Sequence, residues 1–466
     1  MEDKSLNNSD TLENPVHFSN DTVTGPGVLT AFRGLFKHGF LDYIDSAWKE
    51  HGDFFRLNLG FRSLYFAIHP DLVQYVNITN SKNYEKVKSY NVVRKYLTGE
   101  GLVASTGELW KKQRKLMSPF FTPKGVQEYA EIMIRDSVEL VKRWEELAAK
   151  GEEIEMSEEM MRVTASIILR SMFSTDMDEK TMEMKECVEI MIKFATTQEQ
   201  GLHFPDWVPS PRNTKYFKAR EKVHAYINRI IQTRRLVPET EWPNDLLTKL
   251  MQVRDEETGE PMSEALLRDE SITAFFAGHE TTARTMSATW YALAKNPEVA
   301  KKLHEELDRE LGDKIPQLHD LFRLPYTLQV VKEVLRMYPA APFYVRDAVE
   351  DDVINGCKIP AGAAIMLSPY FTHRHPDFWE NPDKFDPDRW IPEKEAGRHR
   401  YTYHPFATGK RICIGNNFSL LESQILVAIL ANKFAPTMED DADVTWEMQG
   451  TLGTKEGFPM RIVKRK

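Results

Sequence analysis

The sequence predicts a mainly α-helical protein that also forms small β-sheets near its two ends. Apolar residues at helical spacing, with capping signals, dominate a long stretch from about Thr122 to Glu310. Strand signals lie near both ends, which suggests that the terminal regions meet in small sheets. The chain has no internal repeat, no low-complexity linker and no G-x-G-x-x-G fingerprint. We expect a single domain over residues 26–466, preceded by a disordered polar segment over residues 1–25.

The N-terminal residues are polar and acidic, without the basic and apolar regions of a signal peptide. Because no run of 18 apolar residues occurs in the chain, we expect a soluble, monomeric, cytoplasmic protein without a transmembrane anchor. The formal net charge of −9 argues against nucleic acid as a partner, since phosphate binding needs a basic surface. Three cysteines are too few and odd in number for a disulfide framework, and they suit a reducing compartment.

Local signals define five further elements with clear boundaries. Prolines at helix starts, Asn-Gly in a tight turn and apolar residues on one helix face supply these signals. They predict a hairpin over Phe54 to Ile68 with its turn at Gly60, a helix from Pro297 closed by Gly312, a helix from Pro325 to Tyr338, a hairpin at Asn355-Gly356, and a helix carrying Phe418, Leu421, Ile425 and Ile429.

The segment Phe406-Ala-Thr-Gly409-Lys-Arg411-Ile-Cys413-Ile-Gly415 concentrates unusual residue types in ten positions. A thiolate ligand must stay deprotonated, and the amides at the start of the following helix help to stabilise it. Gly409 allows a tight turn, and Gly415 leaves room for a flat macrocycle. Arg411 can pair with a propionate of that macrocycle, and Phe406 can pack beneath its ring. These residue types predict a stabilised thiolate at Cys413.

Chance does not explain this segment. In a chain of this length, ordinary residue usage would place five fixed residue types in these ten positions with a probability on the order of one in ten thousand or less. We expect Cys187 and Cys357 to be buried and to act as small apolar side chains. F-x-x-G-x-R-x-C-x-G is similar to the haem-binding signature of the cytochromes P-450. The resemblance implies the cytochrome P-450 fold, haem b as cofactor, and Cys413 as the fifth iron ligand, whose electron donation favours O–O cleavage.

A second mark of the same family is an E-x-x-R pair, Glu333 and Arg336, on the helix from Pro325 to Tyr338. Downstream, Pro387-Asp388-Arg389-Trp390 resembles the family's P-E-R-F, with Asp for Glu and Trp for Phe. The resemblance implies a structural triad of Glu333, Arg336 and Arg389 on the haem side. The E-x-x-R spacing alone is weak evidence for such a triad. Solvated surface pairs are expected where it recurs, at Glu159/Arg162, Glu306/Arg309 and Glu395/Arg398.

A third mark is Ala277-Gly278-His279-Glu280-Thr281-Thr282, inside a helix expected from about Ser263 to Ala294. Glycine in mid-helix costs about 1 kcal/mol relative to alanine, and threonines can bond back to the carbonyl four residues earlier. A threonine-rich packing face is the ordinary alternative. The family resemblance implies that Ala277 and Gly278 border the haem and that Glu280 and Thr281 form an acid–alcohol pair that delivers protons. We treat His279 as structural.

Further marks concern the haem propionates. Trp110 and Arg114 lie four residues apart on a helix and can bond one propionate. Arg346 corresponds to another propionate-binding arginine of the family. The same resemblance places the substrate pocket along residues 90–102 and 182–204, with further lining from Phe275, Ala277, Pro342, Phe343 and Leu452.

The resemblance implies a monooxygenase that uses O2 and electrons from a separate ferredoxin or flavodoxin with its reductase, because too few residues follow Cys413 for a fused one. Lys111, Lys112, Arg114 and Lys115 give local positive charge and form either a solvated helix face or part of the docking surface, and we prefer the docking interpretation. The apolar lining predicts a lipophilic substrate such as a fatty acid, terpenoid or steroid, with a tilt towards fatty acids. The haem is expected to be held non-covalently apart from its iron–sulfur bond. A peroxygenase or isomerase and a non-catalytic haem-binding protein remain alternatives.

Overall fold

The computed structural model describes residues 23–60, 62–199, 205–255, 258–354, 356–439 and 444–465. The polar segment expected over residues 1–25 lies outside these ranges, apart from residues 23–25. None of the helices in the described ranges combines the length and the apolar character needed to cross a bilayer.

Helices form most of the described chain, and several begin with proline in the first turn, where its missing N–H costs nothing. The helices are α1 (Val28–His38), α2 (Phe40–His51), α3 (Pro70–Gln74), α4 (Asn91–Val93), α5 (Gly107–Phe121), α6 (Pro123–Gln127), α7 (Ala130–Lys150), α8 (Met156–Phe173), α9 (Glu179–Glu199), α10 (Pro211–Arg235), α11 (Leu246–Gln252), α12 (Glu264–Lys295), α13 (Pro297–Glu310), α14 (Pro325–Met337), α15 (Pro369–Thr372), α16 (Pro392–Ala396) and α17 (Asn416–Lys433).

Within the described residues, the strands form one five-stranded sheet and three two-stranded ones. They are β1 (Phe54–Asn58), β2 (Ser63–Ala67), β3 (Tyr84–Glu85), β4 (Glu153–Glu155), β5 (Tyr344–Ala348), β6 (Asp352–Ile354), β7 (Cys357–Ile359), β8 (Ala364–Leu367), β9 (Trp446–Gln449), β10 (Thr451–Thr454) and β11 (Pro459–Arg461). The larger sheet has the order β1-β2-β8-β5-β3, with β2 and β8 parallel. N-terminal strands therefore pair with strands from the second half of the chain, and the predicted meeting of the terminal regions is confirmed.

The locally predicted elements are confirmed within small shifts of their boundaries. Strands β1 and β2 pair antiparallel around Gly60, and β6 pairs with β7 around the predicted turn, of which Asn355 lies outside the described residues. Helices α13 and α14 begin and end close to their predicted positions, and α17 contains the four apolar residues predicted for that helix. Cys187 and Cys357 are buried, as expected of small apolar side chains.

Helix α12 is the central element of the largest apolar core and packs against α8, α10, α14 and α17. The Ser263 side chain caps its first turn by accepting from the amide of Leu266 at 3.2 Å. The helix continues without a break through the Ala277–Thr282 motif. The Thr281 hydroxyl donates to the Ala277 carbonyl at 2.9 Å, which is the backbone contact predicted for these threonines.

The Glu333 carboxylate is the centre of a buried polar cluster between α14 and the Pro387–Trp390 turn. It accepts from Arg336 Nη2 and Nε at 2.9 Å each, and Arg389 Nε lies 3.3 Å away. The predicted triad is therefore present. Trp390 adds a fourth contact, since its Nε1 donates to Glu333 at 3.0 Å. A phenylalanine could not donate this hydrogen bond, so the tryptophan changes the cluster by supplying one more partner to a fully buried charge.

Two of the three other E-x-x-R pairs differ from expectation, because their glutamates are buried. Glu159 binds Arg143 of α7 through both carboxylate oxygens. Glu306 accepts from the amides of Tyr326 and Thr327 at 2.7 and 2.8 Å and so caps α14. Both are 4% exposed, and the expectation of solvated surface pairs is wrong for them. Helix spacing alone did not reveal that other elements pack against these positions.

Candidate active site

The cysteine loop is a rigid turn that ends at α17. The Cys413 amide donates to the Phe406 carbonyl at 2.8 Å and closes the loop. Gly409 has a φ of +73°, and a Cβ there would lie 2.2 Å from the Asn77 carbonyl oxygen, so this position requires glycine. The predicted tight turn is confirmed by this geometry.

The Cys413 thiol keeps accessible surface although protein surrounds it. In the chain alone, burial raises the pKa of this thiol, while the Gly415 amide, Arg114 and Lys86 act to lower it. These donors and cations are the groups that stabilise a thiolate. At Gly415 a Cβ would meet only the Cys413 sulfur within contact distance, at 3.9 Å, so packing within the protein does not require glycine there. The position leaves space on the sulfur side of the loop.

Arginines from two predicted motifs meet at this loop. Arg114 Nη1 donates to the Ile412 carbonyl at 2.8 Å. The Arg411 guanidinium carbon lies 3.9 Å from the centre of the Trp110 ring. Its Nη2 pairs with Glu85 at 3.0 Å, and its buried Nε has no hydrogen-bond partner among the described residues. The structure thus brings Trp110, Arg114 and Arg411 together.

Arg346 belongs to the same cluster of cations, together with a lysine that the sequence analysis missed. Burial, and then the charges of Arg346 and Arg411, hold the pKa of Lys86 well below its usual range. Lys86 also lies over the Tyr90 ring, with its Nζ 4.5 Å from the ring centre. No motif marked Lys86, because its place in the cluster depends on how the loop before α5 folds. Glu85 pairs with Arg411 alone among these cations, so the cluster as a whole favours the binding of a further anion.

Backbone groups of residues 99–105, here called the strap, join this cation cluster to α12. The strap amides donate to carboxylates of α12: Glu100 N to Asp269 at 3.1 Å and Leu102 N to Glu270 at 3.0 Å. Its carbonyls accept from cations: Val103 O from Lys86 at 3.0 Å, Ala104 O from Arg94 at 2.5 Å and Ser105 O from Arg411 at 3.0 Å.

The strap lies directly on α12 because glycine lets its backbone approach. A Cβ at Gly101 would lie 2.0 Å from the Thr273 hydroxyl oxygen. Beneath it, the Glu270 side chain is fully buried, and its Oε1 has no hydrogen-bond partner in the described chain. Burial raises the pKa of Glu270 to about 7, against the opposing effect of the Leu102 amide, and the negative Asp269 raises it further.

Helix α12 meets the cysteine helix α17 next to the motif. The Thr282 hydroxyl donates to Ser419 on the first turn of α17 at 3.2 Å, so the motif and the cysteine loop are neighbours. Ala277 is exposed although most of the surrounding helix is buried, as expected of a residue that faces an internal cleft. His279 is 3% exposed and stacks on Phe275, so its structural interpretation is confirmed.

Glu280 and Gly278 have partners that the motif did not predict. The Glu280 carboxylate accepts from the Thr451 hydroxyl of β10 at 2.8 Å. At Gly278 a Cβ would lie 2.4 Å from Ile168 Cδ1 on α8, so close packing of two helices explains this glycine.

Part of the expected substrate lining packs elsewhere. The Phe343 ring lies 5.3 Å from that of Phe40 and 6.0 Å from that of Phe66, in the core beside the larger sheet. Leu102, which is part of the strap, and Leu452, which is in β10 of the β9–β10 hairpin, are both buried. Residues 200–204 of the expected lining segment lie outside the described residues.

Comparison with known proteins agrees with this geometry. Cyclooctatin synthase of Streptomyces melanosporofaciens is 33% identical over 87% of this chain and 85% of its own length. Cyclooctat-9-en-7-ol 5-monooxygenase of the same organism is 30% identical over 82% of both chains. The crystal structure of the cytochrome P450DA heme domain superposes with a TM-score of 0.80 at 26% identity, covering 95% of this chain and 94% of that one. The family model for cytochrome P450 matches residues 25–458, and this chain belongs to the cytochrome P450 family.

Proposed function

We propose that this protein inserts one oxygen atom from O2 into a C–H or C=C bond of a lipophilic small molecule, with Cys413 as the thiolate ligand of haem b. The observation that carries the proposal is the accessible Cys413 thiol beside an enclosed cation cluster. The family implies haem with cysteine ligation. When bound, haem with this ligand supplies the activation of O2.

The chain's own residues would hold and orient that group. Trp110, Arg114, Arg346 and Arg411 would bind the propionates through charge-assisted hydrogen bonds. Phe406 and Gly415 would border the ring on the cysteine side, and Ala277 and Gly278 on the side of α12. No covalent attachment beyond the Cys413 sulfur is proposed.

Glu280 and Thr281 would supply protons. A carboxyl group can exchange its proton with water, and a hydroxyl can relay it over a short distance. Thr281 is half-buried on the same face as the exposed Ala277, and its hydroxyl is already held at 2.9 Å from the Ala277 carbonyl. These positions suit a relay from α12 towards the cleft.

Electrons would come from a separate ferredoxin or flavodoxin, because the family implies a redox partner. Lys111, Lys112 and Lys115, here called the α5 lysines, lie on the helix that carries Trp110 and Arg114. Lys111 pairs with Glu108 at 2.6 Å and Lys112 with Asp255 at 2.8 Å, both at the surface. An acidic partner would have to compete with these carboxylates, so docking should depend strongly on salt.

Among lipophilic substrates, we propose a terpenoid before a fatty acid or a steroid. Relatives at about 30% identity oxygenate terpenoids, including the pentalenene oxygenase of Streptomyces avermitilis. This preference replaces the tilt towards fatty acids, which depended on the resemblance of residues 204–219 and of the H-E-T-T sequence at residues 279–282 to fatty-acid-hydroxylating branches of the family.

The ligand assignment is tested by Cys413→Ser, with Cys187→Ser as the control at a buried cysteine of α9. We expect the serine at 413 to abolish the red-shifted Soret band of the reduced CO complex, and the control to keep it. A normal band in Cys413→Ser would refute the assignment. A spin-state titration against terpenoids, fatty acids and steroids then ranks the substrate classes.

A peroxygenase or isomerase needs no external electrons. The acid–alcohol pair Glu280 and Thr281 speaks against it, because such enzymes have no need of proton delivery from α12. Turnover driven by peroxide, compared with turnover driven by a reductase and NADPH, separates the two. Faster product formation with peroxide would favour the alternative.

A further inference from the structure

The hairpin of β9 and β10 touches α12 at the proposed proton donor. Its strands pair antiparallel, with Thr451 opposite Gln449 and Leu452 opposite Met448. The Leu452 amide donates to the Ala340 carbonyl at 2.9 Å, which fixes the hairpin to the segment after α14. A Cβ at Gly453 would lie 3.0 Å from Arg284 Nη1, so the hairpin backbone also lies close to α12 one turn beyond Glu280.

Within this contact the Thr451 hydroxyl donates to Glu280 Oε1 at 2.8 Å. The neighbouring Thr281 hydroxyl is bonded differently, to the Ala277 carbonyl of its own helix. The two members of the proposed acid–alcohol pair are therefore oriented by different parts of the fold. Helix α12 orients the Thr281 hydroxyl, and the hairpin orients the Glu280 carboxylate.

We propose that Thr451 is a positioning residue for the Glu280 carboxyl group, and that the β9–β10 hairpin thereby controls proton supply to the reaction. This inference rests on the proposed function, in which Glu280 is the acid. A carboxyl group on a flexible side chain loses rate when it is not held in one orientation, because proton transfer needs donor and acceptor at hydrogen-bond distance. A hydrogen bond to a charged group also resists rotation more strongly than a neutral one.

The reaction to be measured needs no known substrate. Without substrate, O2 is reduced by NADPH either to hydrogen peroxide, with two electrons and two protons, or to two waters, with four of each. The second outcome requires more protons at the reacting oxygen. The ratio of hydrogen peroxide formed to NADPH oxidised therefore reports proton supply, and the solvent isotope effect reports whether proton transfer limits the rate.

The experiment compares Thr451→Val, Thr451→Ser and Thr454→Val in the haem-loaded full chain, with a ferredoxin and its reductase, in H2O and D2O. Thr454 is the matched control, because it lies in the same hairpin and its hydroxyl donates to the Gly457 carbonyl in the following turn, away from Glu280. We expect Thr451→Val to increase the peroxide yield and the solvent isotope effect, and to slow water formation by about tenfold, the scale of one charge-assisted hydrogen bond. Serine at 451 should restore wild-type values, and Thr454→Val should leave them unchanged.

A second comparison uses Glu280→Gln, alone and with Thr451→Val. If Thr451 acts through Glu280, the valine has no further effect in the glutamine background. Wild-type behaviour of Glu280→Gln would remove the acid from the proposed function. Normal peroxide yield in Thr451→Val, with an impaired Glu280→Gln, would overturn only the present inference.

Amide hydrogen exchange across residues 446–454 gives a readout that does not depend on turnover. Equal exchange in wild type and Thr451→Val shows that the hairpin is intact, so that a changed isotope effect reports positioning of Glu280. If exchange rises as much in Thr454→Val as in Thr451→Val and both variants lose coupling, the role of Thr451 is merely structural and the proposal is wrong.

Discussion

The buried Glu270 should make this protein less stable as the pH rises, and Glu270→Gln should remove that dependence. The fully buried carboxyl group accepts one hydrogen bond, from the Leu102 amide, and its pKa is raised to about 7 by burial and by Asp269. Glutamine keeps the acceptor for Leu102 and cannot ionise. The variant therefore isolates the cost of burying the charge.

The size of this loss of stability follows from the difference between the ordinary glutamate pKa of 4.5 and the pKa of about 7 for Glu270. Between these pH values the native state keeps a proton that the unfolded chain has released, so stability falls as the pH rises through this window. At 1.36 kcal/mol for each pH unit, the total loss is about 3 kcal/mol. Below pH 4.5 the free energies of unfolding of wild type and Glu270→Gln should change with pH in the same way. Above pH 7 the difference between these two free energies should be constant.

Urea unfolding followed by circular dichroism at pH values from 4 to 8 measures this gap. Glu305→Gln, at an exposed position of α13, serves as the control and should change by less than about 0.5 kcal/mol at any pH. If the free energies of unfolding of wild type and Glu270→Gln run parallel from pH 4 to 8, Glu270 does not carry the buried proton and the reasoning is refuted.

Four further predictions follow from the geometry. Arg336→Lys should destabilise the protein by about 3–5 kcal/mol, because lysine cannot replace the contacts of a fully buried guanidinium; an unchanged urea midpoint would contradict this. Gly278→Ala should lower the free energy of unfolding by about 1–3 kcal/mol, because the added methyl group meets Ile168, and Ile168→Val should restore part of that loss. Additive effects of the two substitutions in a double-mutant cycle would count against this contact. Thr281→Ala should keep the haem spectrum but divert electrons to hydrogen peroxide, and full coupling would exclude Thr281 from proton delivery. Changing the α5 lysines to glutamate should slow reduction of the haem at low salt by about tenfold or more, and unchanged stopped-flow rates would remove them from the docking surface.

The helical core and the small sheets were predictable because their signals are local or periodic. Pro297 and Pro325 mark helix starts, Asn355-Gly356 marks a turn, and the apolar spacing of α17 repeats over several turns. Which strands pair was only partly predictable. The parallel pairing of β2 with β8 joins residues about 300 positions apart, and no local signal specifies such a partner.

The site was predictable where a motif fixes several residues at short spacing. Cys413, Arg411 and Phe406 lie in one loop, and the structure brings Trp110 and Arg114 to it. Lys86 and Thr451 were missed, because each reaches the site through tertiary packing and belongs to no spaced pattern. A lysine or threonine is also common on surfaces, so its residue type alone carries little information.

The strap has a consequence for altering selectivity. The amide of Leu102, a predicted lining residue, donates to Glu270 of α12, and three residues further along the strap the Ser105 carbonyl accepts from Arg411 of the cysteine loop. A larger or smaller side chain that shifts this backbone will also shift Ser105 and its partner Arg411. With the proposed roles of Leu102 in the substrate pocket and of Arg411 at a haem propionate, we expect changes of substrate preference at this position to alter haem affinity or reduction potential as well. Mutations that reshape the pocket from Leu452 in the β9–β10 hairpin leave that connection intact, but they lie next to Thr451 and its contact with Glu280, so they act on proton supply instead.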